Sequence, residues 1–158
     1  MKRFLWVLIL ARSLCASMTL ADTLQSLKPS PKDKCSVCGM FVAQYPDFLA
    51  QVLFKDGSHA FFDGAKDMFK HTLDLSRYNP KKQASDIAAI YVTDYYRLVP
   101  IDGYKSFYVI GSDVNGPMGS ELIPFEKEED ARAFLADHAG KAIRSFKDID
   151  RSVIKRLD

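Results

Sequence analysis

The sequence contains few of the residues that usually carry catalysis or bind metals. Only three cysteines and three histidines occur in the chain. Cys35 and Cys38 form a C-x-x-C pair, but no second cysteine pair and no closely spaced histidines accompany it, as a common zinc site would require. A nucleophile elbow, a phosphate-binding loop and a zinc-protease motif are also missing. These absences argue against a hydrolase and against a zinc finger.

Charge of one sign and long apolar runs are also missing. The 22 basic and 20 acidic residues nearly balance, and no basic stripe suggests a nucleic-acid partner. The apolar run 4–11 is well short of the roughly 20 residues that a transmembrane helix needs. Lys2 and Arg3 precede this run, and Thr19-Leu20-Ala21 offers small residues for cleavage. Residues 1–21 are therefore predicted to be a secretory signal peptide.

Processing would place the protein in the periplasm or the cell envelope. Loss of Lys2, Arg3 and Arg12 would leave 19 of the 22 basic residues against 20 acidic ones, a net charge of about −1. Cys15 raises the question of a lipid anchor, but Leu14 stands where lipoprotein signals have a small residue. We therefore predict an exported protein that associates with the membrane only if the leader is retained or lipidated.

The remainder of the chain predicts one folded domain. Apolar residues make up 47% of the sequence, enough for a core. Residues 22–34 are predicted to be a polar linker, because Pro29 and Pro31 disfavour a helix there. Residues 35–158 are predicted to form the domain, with units at about 35–96 and 103–150.

The two units share one order of predicted elements, β-β-α-β. In the first, Asp56-Gly57 is a strong hairpin signal, and the predicted elements are strands 49–54 and 59–63, a helix from 63 or 64 to 75, and strand 87–92. In the second, a loop at 111–119 separates the first two strands, and the elements are strands 106–110 and 121–125, helix 126–138 and strand 141–146. The prediction is an α+β fold of two packed units. Its sheet would be mainly antiparallel or mixed, with helices on one side.

The C-x-x-C pair fits four kinds of site. An exported protein can hold a structural disulfide, although so small a loop removes little chain entropy. A thioredoxin-like site needs its first cysteine at a helix N-terminus, whereas a proline-containing linker precedes Cys35. Structural zinc lacks its second ligand pair. Cu(I) is the fourth candidate, because this soft ion prefers thiolate and thioether ligands.

Two methionines, Met40 and Met118, favour Cu(I). Cys38 and Met40 put a thiolate and a thioether two residues apart, and Gly39 between them lets the backbone turn. Met118 lies in a loop rich in glycine and proline, which is unusual for a core methionine. His59 is a further candidate ligand, since it opens a strand after the Asp-Gly turn. His71 and His138, near predicted helix ends, are interpreted as helix caps.

Several motifs together resemble the NosL family over about residues 35–149. They are Cys35-x-x-Cys38-Gly39-Met40-x-Val42, Phe62-Asp63, Tyr91-Val92-x-Asp94-Tyr95, Gly116-Pro117-Met118-Gly119-x-Glu121-Leu122-x-x-Phe125 and Gly140-Lys141-Ala142-Ile143-x-x-Phe146. The resemblance implies two β-β-α-β units, binding of one Cu(I), and supply of copper for the copper centres of nitrous-oxide reductase. It also implies an envelope protein, often lipidated. Cys38, Met40 and Met118 carry over as metal-site residues, with Cys35 and His59 as further members.

The predicted function is therefore that of an exported Cu(I)-binding metallochaperone rather than an enzyme. Its partner would be a copper-receiving enzyme or the assembly complex of that enzyme, with nitrous-oxide reductase as the expected client. The alternative is an envelope thiol-disulfide protein that uses Cys35 and Cys38. A third hypothesis is an interaction module with a structural bridge and no metal.

Overall fold

The computed structural model describes residues 24–158, and within them seven strands form two antiparallel sheets. The first sheet has the order β2-β1-β3-β4 and the second the order β6-β5-β7. The strands are β1 (Ala50–Phe54), β2 (His59–Phe62), β3 (Ile87–Thr93), β4 (Pro100–Asp102), β5 (Phe107–Gly116), β6 (Gly119–Phe125) and β7 (Ala142–Ser145). The helices are α1 (Ala65–Leu73), α2 (Leu75–Tyr78), α3 (Glu128–Asp137) and α4 (Arg151–Lys155). The predicted α+β class is confirmed.

The first unit follows its predicted order, β1-β2-α1-β3. Asp56 accepts a hydrogen bond from the backbone N–H of Ser58 (3.1 Å), and Gly57 has φ +84°, so the turn chemistry matches the sequence pattern. Phe62 ends β2, and Gly64 then serves as the N-cap of α1 in an extended conformation. The start of α1 therefore lies directly after the end of β2.

The second unit differs from its prediction at residues 111–119. This segment is the far half of the β5–β6 hairpin, with Asn115 paired to Ser120 beyond a bulge that begins after Ile110. Gly, Asn, Asp and Pro indicate a loop in the sequence, but Gly111 and Gly119 at φ +73° and +80° let the ladder continue past the irregular stretch. The hairpin therefore projects further than a short loop would allow.

The two units share a core. Helix α1 packs on β1 and β2 of its own unit and on β6 of the other, while α3 packs on β5, β6 and β7. Tyr108 of β5 is fully buried, donates its hydroxyl to the Gly103 carbonyl (2.6 Å) and meets the ring of Phe69 edge-on at 5.2 Å. The helix that begins beside Asp63 is thus fixed against both sheets.

The segment before Cys35 lies against the four-stranded sheet. Leu27 exchanges two hydrogen bonds with the side chain of buried Gln51, at 2.7 and 3.3 Å. The predicted signal peptide, residues 1–21, lies outside the described residues. Among the described helices, none combines the length and the apolar character that a membrane crossing demands.

Candidate metal centre

The cysteines lie in a tight turn that the backbone closes on itself. The N–H of Cys35 donates to the Met40 carbonyl at 2.8 Å, and the N–H of Gly39 donates to the Cys35 carbonyl at 3.0 Å. Gly39 has φ +81°, a left-handed conformation that costs glycine little. The sequence Cys38-Gly39-Met40 therefore reverses the chain immediately after the second cysteine.

This turn is attached to the edge of the first sheet. Ser36 donates its backbone N–H to the Phe61 carbonyl at 3.0 Å, and Cys35 forms a parallel bridge with Phe61. Cys35 is 4% exposed and belongs to the main core, whereas Cys38 is only partly buried. The attachment point is two residues before Asp63, so the turn lies beside the start of α1.

Two aspartates from that helix start meet the two thiols. Asp63 immediately precedes the Gly64 N-cap and Asp67 lies in the first turn of α1, so both belong to the start of this helix. The Cys38 thiol donates to the two carboxylate oxygens of Asp63 at 3.3 and 3.4 Å, and the Cys35 thiol donates to Asp67 Oδ2 at 3.3 Å. One potential ligand atom from each of the four residues lies within 4.8 Å of the others.

The cluster, defined as Cys35, Cys38, Asp63 and Asp67, is mostly shielded from water. Asp63 and Asp67 are 1% and 2% exposed. Burial raises the pKa of Cys38 to about 11 and raises the pKa of Cys35 well above its usual range. Both thiols are thus protonated at neutral pH without a metal. A bound cation would displace these protons and gain two thiolates.

One lysine stands beside the acidic half of the cluster. Lys70 Nζ is 3.6 Å from Asp67 Oδ1 and 2.5 Å from Asp158 Oδ1. It therefore divides its charge between two carboxylates. Two buried carboxylates with so little cationic compensation form a site that favours a positive ion.

The two predicted methionine ligands lie on separate segments near α1. Met40 ends the cysteine turn and is partly buried. Met118 stands at the tip of the β5–β6 hairpin with 45% of its surface exposed. Its carbonyl accepts a 2.8 Å hydrogen bond from Nζ of Lys66, which lies on α1 between the two aspartates. The hairpin tip is thereby held at the helix end that carries the cluster.

The predicted ligand His59 lies outside the cluster. It is exposed at the start of β2, and its ring contacts Phe61 edge-on with 4.9 Å between centroids. The interpretation of His71 as a helix cap is wrong. His71 is 1% exposed among the rings of Phe54 and Phe62, and burial lowers its pKa to about 4, so it is neutral.

Sequence reasoning missed the acidic half of the cluster. From the sequence, Asp63 is assigned only to the start of a helix, and Asp67 is given no role. The available pattern was Asp63-x-x-x-Asp67, a four-residue spacing that aligns side chains along a helix. Lys66 and Glu121, both buried beside this helix start, were also missed.

The donor set supports two kinds of metal chemistry. Thiolates and thioethers suit a soft, low-coordinate ion, whereas carboxylate oxygens suit a harder divalent ion. The four cluster residues could fill a tetrahedral S₂O₂ set. Cys38 with the two methionines could instead provide an all-sulfur set.

Fold and candidate site together describe an α+β protein of two packed β-β-α-β units, with a cysteine-aspartate cluster that could hold a metal ion at the start of α1. The chain belongs to the NosL family, whose model matches residues 26–154. It is 32% identical over 162 residues to the copper-binding lipoprotein NosL of Stutzerimonas stutzeri, covering 96% of this chain and 81% of that protein.

Two further proteins are similar to this chain. The copper-binding lipoprotein NosL of Achromobacter cycloclastes is 30% identical over 157 residues, covering 89% of this chain and 78% of that protein. The crystal structure of the copper chaperone NosL from Shewanella denitrificans matches with a TM-score of 0.69 at 23% identity, over 81% of this chain and 97% of that one. The structural match supports the fold.

Proposed function

We propose that this protein is an exported metallochaperone that binds one Cu(I) ion and passes it to a copper enzyme of the cell envelope. The observation that carries the proposal is the convergence of Cys35 and Cys38 with two buried carboxylates within 4.8 Å. The Met40 carbonyl closes the cysteine turn and the Met118 carbonyl is bonded to Lys66 of α1, so both methionines are proposed as additional thioether ligands. The names of two relatives, copper-binding lipoproteins, support copper as the cargo.

Each proposed ligand has a distinct role. Cys38 would provide the principal thiolate, because it is the more accessible of the two thiols. Met40 and Met118 would add neutral sulfur donors, which suit Cu(I) and do not compete for protons near neutral pH. Cys35 would join as a second, buried thiolate. The neighbouring carboxylates of Asp63 and Asp67 would accept the thiol hydrogen bonds in the metal-free protein.

Copper release would occur on the Cys38 side. Cys35 and both aspartates are buried, while Cys38 is partly exposed and Met118 is exposed. An incoming ligand from a partner can therefore replace a weak thioether before it competes for the thiolate. The proposed partner is an envelope copper enzyme or its assembly complex, and nitrous-oxide reductase is the specific client that we propose.

A direct titration tests copper binding. Reduced protein competing with a chromophoric Cu(I) chelator should bind one ion per chain, and Cys38→Ala should abolish tight binding. Met118→Leu should weaken it, whereas Met68→Leu, which removes a thioether buried in the core, should not. Retention of tight binding by Cys38→Ala would refute the proposal.

The S₂O₂ donor set favours a second candidate cargo, a divalent ion such as Zn²⁺. Zinc was disfavoured on sequence because no second cysteine or histidine pair exists, but Asp63 and Asp67 could serve as that pair. Co²⁺, which reports tetrahedral thiolate ligation by its visible spectrum, is the probe. Asp67→Asn should weaken Co²⁺ binding more than Cu(I) binding if oxygen ligation is real. An equal effect on both ions would rule out this second candidate.

The thiol-disulfide alternative finds less support in the pKa values of the two thiols. Reactive cysteines of that class have lowered pKa values at helix N-termini, whereas burial raises the pKa of both Cys35 and Cys38. Met118→Ala discriminates the two functions. It should weaken Cu(I) binding while leaving the Cys35–Cys38 reduction potential unchanged.

A further inference from the structure

Lys66 is a buried lysine on the first turn of α1. It is 2% exposed, although a helix lysine normally extends into water. It lies between Asp63 and Asp67 in sequence, and its ammonium group bonds to the carbonyls of Met118 and Leu157 rather than to either aspartate. A buried ammonium group is stable only where several acceptors replace its water.

The acceptors come from two distant segments. Nζ donates to the carbonyl of Met118 at 2.8 Å and to the carbonyl of Leu157 at 3.2 Å. Asp158 Oδ1 is 3.9 Å away and adds charge compensation. One side chain therefore joins the tip of the β5–β6 hairpin and the segment after α4 to the start of α1.

The backbone of the same residue makes a second connection to the hairpin. The N–H of Lys66 donates to Glu121 Oε1 at 2.6 Å, and Glu121 is 3% exposed. Gly64 makes room for this carboxylate, because a Cβ there would lie 2.1 Å from Glu121 Oε2. The hairpin is thus fastened to the helix at two points, one at β6 and one at its tip.

These contacts matter because packing alone does not hold Met118. Its side chain is 45% exposed, and its neighbour Gly119 has φ +80° with open space around it. The carbonyl bond to Lys66 is therefore the polar contact that fixes the hairpin tip beside the helix that carries Asp63 and Asp67.

We propose that Lys66 is a positioning residue that holds Met118 at the cysteine-aspartate cluster, so that a thioether of the second unit and the thiols of the first belong to one Cu(I) site. This inference rests on the proposed function. Lys66 does not touch the metal. It lowers the cost of ordering the Met118 ligand when copper binds.

A double-mutant cycle separates this role from plain stabilisation. Lys66→Leu keeps an apolar side chain, removes the hydrogen-bond donor and adds no thioether, and Met118→Ala removes the thioether. Cu(I) affinity is measured by chelator competition for the wild type, both single variants and the double variant. Lys66→Leu should lower the affinity by about fivefold in the wild-type background and by less than about twofold in the Met118→Ala background, since contacting residues are coupled.

Lys70→Leu is the matched control. Lys70 is also a lysine of α1 and pairs with Asp67 and Asp158, but it makes no bond to Met118. Its effect on Cu(I) affinity should therefore be the same with and without the Met118 thioether. Urea unfolding of each variant identifies any that fail to fold, and Lys66→Gln, too short to reach the Met118 carbonyl, then replaces Lys66→Leu in the cycle.

The outcomes distinguish the two proposals. Equal effects of Lys66→Leu in both backgrounds, or no effect in either, would overturn the positioning role while leaving copper binding intact. Absence of Cu(I) binding by the wild-type protein would instead overturn the proposed function itself.

Discussion

Substitution of Gly39 by alanine tests the cysteine turn through its backbone alone. Gly39 has φ +81°, and a Cβ built on it would meet no atom within 4 Å. The substitution therefore introduces no clash, and its cost is the conformational penalty of a left-handed L-residue. Gly57 in the β1–β2 turn has φ +84° and equally open surroundings. It lies at the opposite end of β2 from the cluster, so Gly57→Ala is a matched control.

The expected magnitude follows from two opposing effects. A left-handed conformation costs an L-residue roughly 1–2 kcal/mol. Loss of glycine flexibility in the unfolded chain returns about 0.4–1 kcal/mol. A variant whose turn stays closed should therefore lose on the order of 1 kcal/mol of unfolding free energy in the metal-free protein. Urea unfolding should show this loss for Gly57→Ala, and a loss for Gly39→Ala that is smaller by the strain that its turn relieves on opening.

Copper affinity should separate the two variants. Gly39 joins Cys38 to Met40, and its N–H donates to the Cys35 carbonyl at 3.0 Å. A turn that relieves its strain by opening must close again when both sulfurs bind one ion. The strain relieved in the metal-free protein, at most about 1 kcal/mol, returns on binding, so Gly39→Ala should have a Cu(I) affinity weaker by up to roughly fivefold and Gly57→Ala an unchanged affinity. Equal Cu(I) affinities in the two variants would refute the role of the turn.

Three further predictions concern pH. Cu(I) affinity, measured by chelator competition, should fall about tenfold for each unit by which the pH is lowered, for each thiol that loses its proton on binding. Cys35→Ala should reduce this pH dependence by one proton. Burial lowers the pKa of His71 to about 4, so the stability that the neutral imidazole contributes is present above pH 6.5 and is lost as the pH falls toward 4. In urea unfolding, His71→Phe should therefore lose up to about 3 kcal/mol less than the wild type over that range. Burial raises the pKa of Glu121 to about 7, so the free energy of unfolding falls as the pH rises from 4.5 to 7. In the same assay, Glu121→Gln should lose less unfolding free energy than the wild type over that window. An unchanged pH profile in any of these variants would contradict the corresponding assignment.

The elements that the sequence predicted well are those whose local signals agree with the tertiary structure. The Asp56-Gly57 turn flanked by apolar runs defined β1 and β2, because turn chemistry and burial favour the same pairing. The hairpin extension at 111–119 was missed for the opposite reason. Its composition favours a loop, and only the pairing of Asn115 with Ser120 across the bulge makes it strand.

The candidate site likewise has a part that the sequence could predict and a part that it could not. Cys38, Gly39 and Met40 are adjacent in sequence, so their chemistry could be inferred from spacing. Asp63 is 25 residues from its partner Cys38, and the attachment of Ser36 to Phe61 that joins them is a backbone contact without a sequence signature. The burial of Lys66 depends on a hairpin 52 residues away, which no helix periodicity reveals.

The arrangement of buried and surface donors bears on how the proposed site could serve both retention and transfer of copper. Cys35 and both aspartates are fixed by the core and by the start of α1, which packs on both sheets. Cys38 and Met118 lie on a turn and a hairpin tip at the surface, and each connects to α1 through polar contacts. Ligand exchange with a partner requires only those surface donors to move. Cys38, the principal thiolate, should therefore set most of the affinity, while loss of the Lys66–Met118 contact should both lower the affinity modestly and speed the release of copper.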